Sequence, residues 1–346
     1  MGSPQNARLV QAAQTPPERA GRQSGANVAW DAARRQDWDA FCAAAPFASY
    51  QQHYAYGGVL EAMGVRLHRA QLFHDGRWIG AAQIQFRTFF SLFTVALVLR
   101  GPVWSPQGVD DAARAAAIEA MRKALPVAGL YGLIIAPEDS PDRRKDGGHG
   151  EDGLCAAGYK RIMSGHHTVM LDLTQDEENL RGGLNGKWRN RLKAAEKSDI
   201  TLSPLGKRPD KYAWLIEKDE QQQKTSGYQA MPSIMVRHYH EMAGKGAVVG
   251  YAAKKGAETL GGVLFLRHGD CATYHIGWAS EAGKAANVHN LLLWTAMRGL
   301  KKAGVKTLDL GGVDTDANPG IARFKIGTGG RVASLPGSWS RGPRLR

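Results

Sequence analysis

The sequence predicts an α/β protein of two tandem domains, each built on a mixed sheet of antiparallel and parallel strands. Three observations predict it. Period-two alternation and helical spacing follow one another along the whole chain, the mark of α and β elements interleaved in one core. The run Asp75-Gly76-Arg77-Trp78-Ile79-Gly80-Ala81 resembles Gly256-Ala257-Glu258-Thr259-Leu260-Gly261-Gly262, and each copy leads through a hairpin and a long helix to a glycine and a buried strand, at Gly129 to Ala136 and Gly304 to Leu310. A repeat of about 180 residues is too long for a solenoid unit and points to duplicated domains. Finally, 346 residues with 43% apolar side chains can bury two ordinary cores. The expected division is a disordered leader at 1–27, a first domain at 28–165, a second at 166–340 and a basic tail at 341–346.

In chain order, Trp30 to Phe41 and Gln51 to Met63 read as helices, the second stopped by Gly64. Arg66 to Phe73 and Trp78 to Phe86 are strands around His74-Asp75-Gly76-Arg77, where Asp-Gly supplies the positive backbone angles of a hairpin turn. Leu92 to Arg100 is a third strand, Val109 to Leu125 an Ala-rich helix and Leu130 to Ala136 a buried strand. Residues 139–153 lack periodicity and read as a loop. His167 to Leu173 opens the second half as a strand. From Leu184 to Lys197, Leu184, Trp188, Leu192 and Ala195 share one stripe while Lys187, Arg189, Arg191, Lys193 and Lys197 flank or oppose it, so one face packs and the rest is cationic. Pro209 to Thr225 and Pro232 to Ala243 are helices opened by proline. Ala247 to Ala253, Thr259 to Arg267 and Cys271 to Trp278 form a meander, followed by helix Ala285 to Lys302 and strand Lys306 to Leu310.

Composition removes several function classes. The formal charge of +13 fits a polyanionic partner without identifying one. The longest apolar run, Phe89 to Leu99, is shorter than the roughly 18 residues a membrane-spanning helix needs, which argues against an integral membrane protein. The leader has no apolar core of a secretory signal, giving a cytoplasmic expectation. Cys42, Cys155 and Cys271 are scattered and read as three buried thiols rather than a disulfide or zinc framework. Gly186-Lys187 lacks the upstream glycine of a phosphate loop, there is no Gly-x-Ser-x-Gly or His-Glu-x-x-His, and His166-His167 point to opposite sides of a strand, so no metal site is expected.

Three runs carry a resemblance. Leu184-Asn185-Gly186-Lys187-Trp188-Arg189-Asn190-Arg191-Leu192-Lys193-Ala194-Ala195-Glu196-Lys197 resembles the basic helix of the FemABX-like family. Leu308-Asp309-Leu310-Gly311-Gly312 followed by Gly320-Ile321-Ala322-Arg323-Phe324-Lys325-Ile326-Gly327-Thr328-Gly329-Gly330 resembles its closing signature, and Phe47-Ala48-Ser49-Tyr50-Gln51-Gln52 its opening region. The resemblance implies two tandem GCN5-related acetyltransferase-like domains and an acyltransferase. The best-known members move an amino acid from aminoacyl-tRNA to the peptide stem of a peptidoglycan precursor; looser relatives are acyltransferases. The long charged helical hairpin that some members insert in the second domain is missing here.

Amide formation from an ester or thioester passes through an oxyanion, which needs positive charge or backbone donors where it develops. The resemblance places a functional lysine at Lys325, beside a Gly-rich run free to approach a substrate closely; read without it, Lys325 is a surface lysine before a turn. A base must take the attacking amine's proton, and His275, Asp309 and Asp314 are the candidates, each equally readable as a structural polar group. Lys187, Arg189, Arg191 and Lys193 are suited to phosphates, or are a solvated helix face, and Tyr274 and Arg323 join the substrate-binding candidates. Ser280 to Asn287 occupies the place of a coenzyme A phosphate loop but matches it poorly, and Glu281 would repel phosphate. Aminoacyl-tRNA is therefore expected ahead of acyl-CoA as co-substrate, with no resident cofactor, and an anionic cell-wall precursor or another amine as acceptor. A non-catalytic RNA-binding protein is the remaining alternative, and oligomeric state is not encoded visibly.

Overall fold

The computed structural model describes residues 25–107, 109–138, 153–206, 208–226 and 234–345. The predicted leader up to 24, the predicted loop at 139–152 and the proline expected to open a helix at 232 lie outside the described residues. Two compact units form, one of Met1–His166 with Ser334–Arg346 and one of His167–Ala333. The second unit is thus inserted in the first, and it ends at 333 rather than 340. Among the described residues no helix is long and apolar enough to cross a membrane.

The first unit runs β1 (Ala26–Trp30), α1 (Arg35–Ala44), α2 (Tyr54–Ala62), β2 (Arg66–His74), β3 (Arg77–Phe89), β4 (Phe93–Leu99), β5 (Val103–Trp104), α3 (Asp111–Lys123), β6 (Leu130–Ala136) and β7 (Lys160–Met163). A last strand, β15 (Ser338–Leu345), comes from the far end of the chain and completes the sheet order β1-β2-β3-β4-β6-β15-β7, with β5 on β3. Asp75 and Gly76 both hold positive φ and join β2 to β3 at the His74↔Arg77 pair, as Asp-Gly requires. Ile118 and Met121 of α3 belong with Leu72, Ile84, Val98 and Ile135 of the sheet to one fully buried core.

Three expectations change here. Trp30 ends a strand opposite Ala70 instead of starting a helix, because Asp31 turns the chain at φ 52 and its carboxylate accepts from the Arg69 amide at 2.8 Å. Residues 341–345 are not a tail: Arg341 pairs with Leu133 and Leu345 with Leu130. Cys155 is exposed, while Cys42 and Cys271 are buried.

The second unit runs β8 (His167–Asp172), α4 (Glu177–Gly183), α5 (Gly186–Glu196), β9 (Thr201–Pro204), α6 (Ala213–Ser226), α7 (Ile234–Ala243), β10 (Val248–Lys255), β11 (Glu258–His268), β12 (Cys271–Ala279), α8 (Glu281–Ala285), α9 (Val288–Lys302), β13 (Thr307–Val313), α10 (Pro319–Ile326) and β14 (Arg331–Ser334). Its sheet order, β14-β8-β13-β12-β11-β10-β9, repeats the plan of the first sheet. The predicted stripe of α5 is buried: Leu184, Trp188, Leu192 and Ala195 join a core with Val288, Leu292 and Met297 of α9. The helix expected from Ala285 to Lys302 is α9, preceded by the short α8, and α10 appears where no element was predicted.

The sheets differ at their central parallel pair. In the first, β4 and β6 stay paired from Phe93↔Leu130 to Leu99↔Ala136. In the second, β12 and β13 pair only at Cys271↔Thr307, Ala272↔Leu308 and Thr273↔Asp309, and then part. Two irregularities bend them: Phe265 pairs with Tyr274 but Leu264 with Ile276, leaving His275 as the extra residue of a bulge, and the β13–β8 register slips between Asp309 and Gly312. The carboxyl ends of adjacent parallel strands thereby open a slot in the second unit.

Candidate active site

The two longest runs noted in the sequence meet beside that slot. Asn185 caps α5 by accepting from the Lys187 amide at 3.0 Å, and its own amide donates to the Gly327 carbonyl at 2.9 Å. The Trp188 indole N–H donates to the Phe324 carbonyl at 3.1 Å, with the two rings 5.9 Å apart. The start of α5 is thereby latched to the end of α10, the helix that carries Arg323, Phe324 and Lys325.

Lys325 points back toward the parting strands. Its ammonium donates to the Gly312 carbonyl at 2.8 Å and stands 6.0 Å from the centre of the Tyr274 ring. A Cβ on Gly311 would lie 3.6 Å from Lys325 Nζ and 3.8 Å from the Tyr274 carbonyl, so the amine occupies the gap between β12 and β13. Burial lowers its pKa from the ordinary 10.5 to about 8, and the Asp309 carboxylate limits the fall. The group remains mostly a cation near neutrality, held where little water screens it.

Asp309 does not reach the slot as a base. Its side chain is fully buried and accepts from the Thr168 hydroxyl and, at 2.8 Å, from the Gly311 amide. It stabilises the irregularity of β13 and acts on Lys325 through space. His275 sits at the bulge next to Tyr274, and burial lowers its pKa to about 4; a neutral imidazole that weak is poorly matched to deprotonating an ammonium near pH 7. Asp314 accepts from the Asp316 and Ala317 amides at 2.9 and 2.8 Å and shapes the exposed turn before α10.

The substrate-binding candidates separate. Lys187, Arg191 and Lys193 are exposed on α5, whereas Arg189 turns inward and donates to the Gly182 and Leu184 carbonyls at 2.9 and 2.8 Å, closing α4. Arg323 is exposed and donates to the Pro319 carbonyl at 3.1 Å. Tyr274 packs its ring edge-on to Phe265 at 5.3 Å and borders the slot. The Gly-rich run after Lys325 does not offer its backbone to a ligand. A Cβ at Gly329, where φ is +80°, would overlap the Gly183 carbonyl, and one at Gly330 would lie 2.6 Å from Val169 Cγ1. Those glycines permit close approach of the chain to itself.

The place expected for a phosphate loop is likewise filled. Glu281 to Ala285 is helical, Ser280 caps it by accepting from the Gly283 amide at 3.1 Å, and a Cβ at Gly283 would strike the Leu260 carbonyl. Gly283 is there for packing against β11. One residue escaped the sequence reading: His289, in the first turn of α9, has its ring 6.0 Å from Phe324 and its buried Nε2 without a partner, and burial lowers its pKa to about 4. No spacing signals it, since it lies inside an apolar helical pattern. Among the described residues no group of three or more His, Cys, Asp or Glu is placed to hold a metal ion.

Residues 185–325 match the family described as an acetyltransferase (GNAT) domain. That match begins at the cap of α5 and ends at Lys325. The fold is similar to the crystal structure of FemX, with a TM-score of 0.74 at 16% identity, covering 90% of this chain and 96% of that one. It is also similar to a conserved protein of unknown function from Bacteroides thetaiotaomicron, with a TM-score of 0.56 at 10% identity, covering 92% of this chain and 100% of that one. No curated protein matches the sequence. The fold is therefore FemX-like, and the match to the acetyltransferase (GNAT) family lies within the second unit.

Proposed function

We propose that the protein is an acyltransferase that forms an amide in the slot between β12 and β13, moving an aminoacyl group from aminoacyl-tRNA to an amine of a peptidoglycan precursor peptide. The observation that carries it is the latch: Trp188 and Asn185 tie the cationic face of α5 to the helix that delivers Lys325. A polyanionic donor gripped by Lys187 and Arg191 is thus held beside the lysine. As the amine attacks the donor's ester carbonyl, the carbonyl oxygen takes up negative charge, and the Lys325 ammonium supplies the compensating positive charge without having to reorganise. The attack forms the C–N bond; collapse restores the carbonyl and breaks the ester C–O bond, the ribose oxygen leaving with a proton, while the amine's own proton passes to water or a substrate group, because His275 is too weak a base and Asp309 is enclosed.

A second reading, an acyl-CoA N-acyltransferase serving envelope or exopolysaccharide synthesis, is favoured by the slot itself, whose unpaired strand edges suit an extended donor arm. The filled phosphate-loop position weighs against it. Purified protein given labelled charged tRNA or labelled acyl-CoA, each with cell-wall precursor and an amine extract, separates the readings. Transfer from tRNA that is lost in Lys325→Ala supports the first. Transfer from acyl-CoA alone establishes the second, and salt-sensitive RNA binding without turnover favours the non-catalytic alternative.

A further inference from the structure

The first sheet ends in an apolar edge that nothing in the acyltransferase reading uses. Register places Phe89 opposite Phe93, Phe93 beside Leu130, and Leu130 opposite Leu345, one cross-strand row on a single face at the end of four neighbouring strands. Beyond the row the β3–β4 hairpin projects Phe90 and Leu92. Phe90 is 92% exposed, Leu345 79%, Leu92 76% and Phe89 48%.

The turn itself is an odd choice of residues. Phe90 and Ser91 both hold left-handed backbone, at φ 50 and 55, where Asn or Gly fits with less strain. A phenylalanine kept there, almost wholly in water, helps neither the turn nor a core. Among the described residues nothing covers it.

Cations flank the tip. Arg87, exposed, lies two residues from Phe89 on the same face. At the same end of the sheet, on the α3 side, exposed Lys123 and Arg341 and half-buried Arg344 gather within 3.8, 3.2 and 3.4 Å of a single carboxylate, Glu119, leaving a surplus of positive charge next to the strand that ends at Leu345, while Arg122, 3.7 Å from the same carboxylate, is buried. A projecting apolar tip with basic flanks fits the interface of an anionic bilayer, where apolar side chains enter the headgroup boundary and Lys or Arg meet lipid phosphates.

We propose that the β3–β4 hairpin and its neighbouring row are a membrane-docking edge, which seats the first unit reversibly on an anionic lipid surface. It stands independently of the transferred group and of Lys325.

The test is co-sedimentation of the full chain at low salt with vesicles of phosphatidylcholine alone or with about a third phosphatidylglycerol. Wild type should pellet with the anionic vesicles, with binding falling at least tenfold in high salt. Phe90→Asn combined with Leu92→Ser should lower binding at least tenfold while leaving the unfolding midpoint no lower, since Asn accepts the turn's backbone. In Phe90→Trp the new indole should shift to the blue and be quenched by lipids brominated on their chains. Failure of the wild type to bind either vesicle, equal binding by the double variant, or an indole that brominated chains do not quench overturns the proposal. So does a wild-type self-association that the double variant abolishes, which would give the edge to a second copy.

Discussion

Replacing Lys325 with Met should make the protein more stable while removing its turnover. The fall in the lysine's pKa from 10.5 to about 8 means that folding places a charge where it is poorly solvated. At about 1.4 kcal/mol per pH unit this is roughly 3 kcal/mol against the native state. Part of it is regained by screening at a half-buried amine, and the Met variant forgoes the bond to the Gly312 carbonyl, about 1 kcal/mol, although that exposed carbonyl can turn to water. The expected net gain is about 1–2 kcal/mol at pH 7. Its pH dependence has a definite sign. Below pH 8 both folded and unfolded wild type hold the proton and the penalty is complete; between about 8 and 10.5 the unfolded chain keeps a proton the native protein has released, so wild type gains stability on the variant as pH rises. Urea unfolding followed by tryptophan fluorescence across this range measures the gap directly and needs no substrate. A Met variant less stable than wild type at pH 7, or a gap that does not close toward high pH, would refute the placement of a poorly solvated cation in the slot.

Asp309→Asn should cost about 3–5 kcal/mol by unfolding measurements, since it breaks a buried carboxylate from Thr168 and Gly311, and it should move the alkaline limb of the activity profile to lower pH because Asp309 sustains the lysine's charge. Gly329→Ala, forced into left-handed backbone against Gly183, should lose about 2–4 kcal/mol, whereas Gly182→Ala, with open space around it, should be neutral in the same thermal scan. Lys187→Gln with Arg191→Gln should weaken polyanion binding and flatten its salt dependence by a slope of about 1–2, with kcat unchanged, in titrations at several ionic strengths. His275→Gln should leave the rate profile between pH 6 and 9 unaltered, because the imidazole is already neutral there.

What local pattern decides was readable from the chain. Asp75-Gly76 fixed its hairpin because two left-handed residues leave few other turns open, and the α5 stripe was visible because Leu184, Trp188, Leu192 and Ala195 recur at helical spacing. Lys325 was legible as a residue but not as an environment: its half-buried ammonium depends on β12 and β13 separating after Thr273 and Asp309, a consequence of two bulges in pairings between distant segments. Helix α10 was not predicted because Gly320 and Gly327 to Gly330 crowd its short apolar pattern, although Pro319 is well suited to a first helical turn. Strand β15 was hidden by Gly342-Pro343, residues tolerated because the register slips there between Arg341 and Arg344. Nothing in the spacing of Gly327 to Gly330 separates a glycine that admits a ligand from one that admits the chain's own backbone.

The position of β15 between β6 and β7 also sets the order in which the two sheets can be completed. β8 through β14 all precede β15 in the chain and none of them pairs with it, so the second sheet needs nothing from β15, while the first lacks a strand without it. Until Ser338–Leu345 arrive, β6 shows one unpaired edge and β7 has no neighbour to pair with. A chain cut before residue 338 would therefore keep every strand of the second sheet and leave the first with an open strand edge for chaperones to guard.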